Sequence, residues 1–414
     1  MKQQIIDSTI AAEKLESLYR HNRPEFEKYF AEISSSGDTS LVSFWKIRLA
    51  PDRKEEGTGS RLTGLLEVLA IAALTAILML IPAALAESGR EFFYIRNMAL
   101  IAFNGLILYA FRLNKISGII RALPYIALLI ITGLYINLLP AAMGDSVMIA
   151  ALHVPLMMWC FLGVSWLQFD YRNLPGRMDF IRFTGELIIM TGLILLAGGV
   201  LTGITMGLFQ VIGMRIENFY IHFIAVPGGV ASPVIAWYLL RTYPGITSKI
   251  APVIARVFTP VVLVTLTAYL VSLPFSGNSI LGNRELLIIF NVMLLGVLAL
   301  VIYSLSGVNR ERTGKNNLLA LLLLVALAIV INSVALTAIL SRVADGLTPN
   351  RAAVLITNIL VFVNLIWIAA RLYGVRFKGN PLESVEKTVA GYLSVYAIWT
   401  VLAIFIFPVA FGFR

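Results

Sequence analysis

The chain has 414 residues, of which 58% are hydrophobic and only 14% charged, with a formal net charge of +10. Such a composition excludes an ordinary soluble domain. The single cysteine, Cys160, excludes an intrachain disulfide, and the basic excess is scattered between apolar runs, so no nucleic-acid partner is expected.

In chain order, residues 1–60 form a polar, helical, cytoplasmic head. Leu15, Leu18 and Tyr19, then Phe26, Tyr29, Phe30 and Ile33, keep the spacing of amphipathic helices. Asn22, Pro24 and Glu25 make a helix start, and Ser34-Ser35-Ser36-Gly37 a stop. Leu41 to Leu49 mixes Phe44 and Trp45 with Lys46 and Arg48, which suits a helix at a membrane surface. A head this small is expected to rest on the membrane domain, on lipid headgroups or on a protein partner. No leader peptide is expected, because the first apolar run starts only after residue 60.

Residues 61–414 read as an all-α transmembrane domain of eleven spans. They fall at 62–86, 97–112, 122–140, 147–168, 183–211, 221–240, 257–273, 285–305, 318–340, 353–370 and 388–411. Of the 33 basic residues, 26 lie in one alternating set of flanking segments and 7 in the other. Cytoplasmic loops keep the Lys and Arg excess, which puts the N-terminus inside and the C-terminus outside.

Two central spans stand out. In 183–211, Gly199, Gly203 and Gly207 recur every four residues, a small-residue face that lets a neighbouring helix come close. The next span carries Pro227, Gly228 and Gly229, then Pro233, and is expected to break. A broken helix in a membrane needs a wet or polar surrounding and is a pointer to a transport site.

The spans running from outside to inside share a pattern. Arg284 precedes Asn291 by seven residues, as Arg351 precedes Asn358, and these two spans keep a constant offset of 67. Arg215 precedes His222 by seven and Arg96 precedes Asn104 by eight. Arginines at helix N-termini, beside free backbone N–H groups, suit an anion such as a lipid headgroup. His153, Asn332 with Ser333, and Tyr135 with Asn137 add polar groups in the outer half, whereas Glu67 and Glu186 fall near the cytoplasmic ends.

No phosphate-binding loop, nucleophile motif or metal-ligand cluster is present in the sequence, so no catalytic residue, metal or cofactor is expected. Gly346-Leu347-Thr348-Pro349-Asn350-Arg351 reads as a turn starting a helix, with Thr348 as N-cap and Pro349 at the first helical position.

That segment, starting from Arg342, also resembles a signature of a bacterial integral-membrane family called domain of unknown function 4153. Leu15-Glu16-Ser17-Leu18-Tyr19-Arg20, Phe26, and Phe44-Trp45 followed by Arg48-Leu49 are similar to its Bacteroidota-type members. The resemblance implies a bacterial inner-membrane protein and no particular activity.

Two functions follow as expectations. One is a secondary transporter, channel or lipid-handling protein that accepts a small anionic solute or headgroup in its outer half. Its ligand residues would be Arg96, Asn104, His153, Arg215, His222, Pro227, Gly228, Gly229, Arg284, Asn291, Asn332, Arg351 and Asn358. The other is a non-transporting scaffold or sensor whose cytoplasmic head binds a partner.

Overall fold

The computed structural model describes residues 58–81, 87–115, 119–140, 144–211, 214–243, 284–306 and 315–413, with isolated positions in 15–45 and 262–271. The expected span at 257–273 and the helix bounds within the head lie outside the described residues. By its contacts the chain divides into two compact units, Met1–Glu67 and Val68–Arg414.

In the first unit, Leu15, Phe26, Phe30 and Trp45 are buried. The Trp45 ring lies 5.0 Å from Phe26 and 5.3 Å from Tyr19, centroid to centroid. Aromatic side chains bury large areas, so four of them supply a small core from few residues.

The described residues contain helices and no strand. In chain order the helices are α1 Thr58–Leu78, α2 Glu87–Leu113, α3 Ile119–Leu138, α4 Asp145–Trp166 and α5 Leu174–Val211, then α6 Glu217–Thr242, α7 Arg284–Ser306, α8 Lys315–Ala344, α9 Pro349–Lys378 and α10 Glu383–Ala410. Seven of them (α2, α4, α5, α6, α8, α9 and α10) are long and apolar enough to cross a membrane. Shorter apolar stretches lie in α1, α3 and α7, at Thr63–Leu78, Ala122–Leu138 and Leu294–Tyr303.

Two apolar cores organise the second unit. One gathers α2, α3, α4 and α6 around Ile107, Met158, Leu162 and Trp237. The other gathers α7 to α10 around Val301, Leu324, Leu365 and Val389. Helix α5 belongs to both, giving Phe180 and Phe183 to the first and Met178 and Ile181 to the second. Leu187 and Met190 also join the first core, and from 191 to 206 no residue of α5 is buried. Only 11% of its apolar span is buried inside the protein, against 50% in α4. In a membrane, lipid covers such a surface without cost.

Gly199 and Gly203 of the glycine face lie on that part, and the surroundings of Gly207 lie outside the described residues. No atom of the described residues comes within 4 Å of a Cβ built on Gly199 or Gly203. The close approaches are elsewhere. A Cβ on Gly105 would overlap the Thr75 hydroxyl and lie 2.9 Å from Val234, and one on Gly185 would overlap the Tyr303 ring.

The offset of 67 between the spans of α7 and α9 is a buried seam. Leu294, Leu298, Val301 and Leu305 of α7 match Val361, Leu365, Ile368 and Leu372 of α9, and all eight are buried. Both helices set this stripe in the core they share with α8.

The turn into α9 forms as its residues dictate. Thr348 is extended at φ −109°, its hydroxyl accepts from the amide of Arg351, and Pro349 starts the helix. Gly346, at φ +129°, takes a conformation that a side chain would strain.

Candidate functional site

Two of the four arginines expected at an anion site, Arg96 and Arg351, are spent on helix-end carbonyls. Arg96 is buried inside α2. Its Nη1 donates to the carbonyls of Ile136 at 2.6 Å and Leu139 at 2.9 Å, and Nη2 donates to that of Pro140 at 2.6 Å. Pro140 has no N–H, so the Ile136 carbonyl four residues earlier lacks its helical donor. The ring of Phe92 covers the guanidinium at 3.9 Å. Arg96 is therefore a C-cap for α3, where the helix dipole favours a cation.

Arg351 repeats this at the end of α8. Its Nη1 donates at 2.7 Å to the carbonyls of Arg342 and Gly346. A third arginine clamp carries no mark in the sequence pattern. Arg177, in the first turn of α5, donates to the Ala390 carbonyl and the Ser394 hydroxyl of α10, each at 2.9 Å. Of the others, Arg215 is exposed in the stretch before α6, and Arg284 opens α7 with its side chain outside the described residues.

Several of the polar residues expected in the outer half tie neighbouring helices, and the two histidines bond within their own. Asn104 accepts from the Tyr125 hydroxyl, joining α2 to α3. Asn97 and Asn137 exchange amide hydrogen bonds at 3.0 and 2.8 Å across the same pair. His153 donates from Nδ1 to Ile149, four residues back, and presents its ring to Trp399 at 5.8 Å. His222 is bonded likewise to the Asn218 carbonyl at 2.8 Å.

The span with Pro227 and Pro233 does not break. Helix α6 is continuous, with one π-helical turn at Ile221–Ala225 just before Val226-Pro227. The wider turn lets Val226 N–H reach the Ile221 carbonyl, five residues back, ahead of the proline. Helix α10 uses the same device, a π turn at Leu402–Ile406 followed by Phe407-Pro408. The Tyr135 hydroxyl of α3 donates to the Phe405 carbonyl in that turn at 3.2 Å. At Pro233, the carbonyl left without a helical donor is that of Gly229. It accepts from the Ser232 hydroxyl at 2.7 Å. Pro227 is buried, Gly228 is exposed, and Gly229 lies against Leu195 of α5.

One group of predicted residues is brought together without being fully satisfied. Asn332 of α8 and Asn358 of α9 are 0% and 3% exposed. Asn332 Nδ2 donates to the Asn358 carbonyl at 3.2 Å. Among the described residues, Asn332 Oδ1 and Asn358 Nδ2 have no hydrogen-bond partner, nor does Asn291 Oδ1 of α7. Asn291 holds the place in the α7 stripe that Asn358 holds in α9, one turn before Leu294 and Val361 respectively. Asn364, absent from the predicted set, extends this polar seam toward α10. Its Nδ2 donates to the Tyr396 hydroxyl at 2.9 Å, and its Oδ1 has no partner among the described residues. It is visible in the sequence as a lone amide within Val361-Phe362-Val363-Asn364-Leu365, but carries no preceding arginine to mark it.

No group of three His, Cys, Asp or Glu among the described residues could hold a metal ion. No protein-family model matches the chain, no curated protein matches it, and no solved structure matches it.

Proposed function

We propose that this is a multi-pass protein of a bacterial inner membrane that passes a small polar solute, as a secondary transporter or channel, with its site at the amides of α7, α8 and α9. The observation that carries the proposal is the buried pair Asn332 and Asn358, whose Oδ1 and Nδ2 respectively have no hydrogen-bond partner among the described residues. Each unpaired buried group costs roughly 1–3 kcal/mol, which leucine at the same place would avoid. Polar side chains facing a bundle interior mark solute paths. The engagement of Arg96 and Arg351 with carbonyls moves the weight from the arginines to the amides. The exposed Arg215 suits an anionic headgroup, and membrane lipids cover the bare face of α5.

Single cysteines test it. Asn291→Cys and Asn358→Cys, each with Cys160→Ser, should react in intact membranes with a small charged thiol reagent. Folded protein inert at both positions would overturn the proposal.

The aromatic cluster of the head favours a second reading, a scaffold or sensor whose head is recognised by a protein partner. Its support is that Phe26, Phe30 and Trp45 give those residues a core of their own.

A further inference from the structure

Resting on the solute-passing role, we infer that the amide layer is selective for a neutral hydroxyl group, not for an anion or a cation. The donors and acceptors decide this. Among the described residues, Asn332 offers an unpaired side-chain carbonyl oxygen, and Asn358 an unpaired side-chain N–H. The two residues are adjacent, since Asn332 Nδ2 is already bonded to the backbone carbonyl of Asn358. A group that fits between them must donate one hydrogen bond and accept another. A hydroxyl does both.

An anion would accept from Asn358 but face the negative end of the Asn332 amide. A cation would suit Asn332 and be repelled by the Asn358 N–H. On their own helices, Asn291, Asn332 and Asn358 have no charged residue within three positions to offset either repulsion. Arg351 lies two turns from Asn358 and donates to the Arg342 and Gly346 carbonyls. The Asn291 carbonyl oxygen, at the matching place in α7, is a second acceptor and suits a ligand with a second O–H. Water and a small polyol such as glycerol share this chemistry.

Full-length protein in vesicles of phosphatidylethanolamine and phosphatidylglycerol provides the test, with stopped-flow light scattering under glycerol gradients and impermeant-osmolyte gradients. The expected result is glycerol permeability several-fold above empty vesicles, lost in Asn332→Leu and Asn358→Leu and partly kept in Asn358→Gln. Monodisperse gel filtration of each variant separates lost passage from lost folding. If water permeability alone rises and falls with these variants, the hydroxyl inference stands with water as its source. Passage of phosphate or chloride without glycerol or water would overturn the hydroxyl inference and leave the solute-passing role standing. If nothing crosses, or if the leucine variants pass glycerol unchanged, the inference is overturned, and in the first case the role falls with it.

Discussion

The guanidinium of Arg96 donates at 2.6 Å to the carbonyl of Ile136, the one that Pro140 deprives of a helical donor. An arginine on one helix thus completes the end of another. Arg96→Met should orphan the carbonyls of Ile136, Leu139 and Pro140 together, and cost at least about 2 kcal/mol. Arg96→Lys should recover part of this. Thermal melting in detergent measures both variants, and an unchanged Arg96→Met would refute the capping role.

Ser232 and Pro233 form a coupled pair. Ser232→Ala should cost about 1 kcal/mol, because the Gly229 carbonyl loses its donor. In a Pro233→Ala background the restored amide can bond that carbonyl, so the same change should cost close to nothing. A double-mutant cycle on melting free energies reads the coupling, and strict additivity would contradict it.

The glycines separate by what faces them. Gly105→Ala should lower stability, because its methyl group would meet Thr75 and Val234 inside contact distance. Gly199→Ala and Gly203→Ala should be neutral or mildly stabilising, since a helix gains by that exchange and open space surrounds them. A destabilised Gly199→Ala would show that another surface packs there.

The head should depend on Trp45, which is buried against Phe26 and Tyr19. Trp45→Ala removes roughly 3–5 kcal/mol of core packing, more than a head of this size holds in reserve. Limited proteolysis of the full chain should then cut within residues 1–57 at a faster rate. Equal rates for the variant and the parent would count against a folded head.

The bias of 26 basic residues to 7 predicts the orientation. A reporter fused after Arg414 should be active only outside, and one inserted in 306–317 only in the cytoplasm. A cytoplasmic signal after Arg414 would mean an even number of spans.

The helical class and the positions of the long helices were legible because a bilayer demands an unbroken apolar run wherever the chain crosses it. The N-cap at Thr348 was legible because its hydrogen bond is local, three residues long. So was the α7/α9 repeat, since a stripe facing one seam repeats in register. What Arg96, Ser232 and Gly199 meet was not legible. Arg96 finds its carbonyls some forty residues away, at a helix end set by Pro140. Pro227 and Pro233 are absorbed by a π turn and a neighbouring hydroxyl, so the expected break does not occur. The Gly199 and Gly203 face points at open space because α5 commits only its other end to the two cores. Spacing along a helix states which residues share a face. Which surface comes against that face depends on how separate helices pack, and only the tertiary structure decides it.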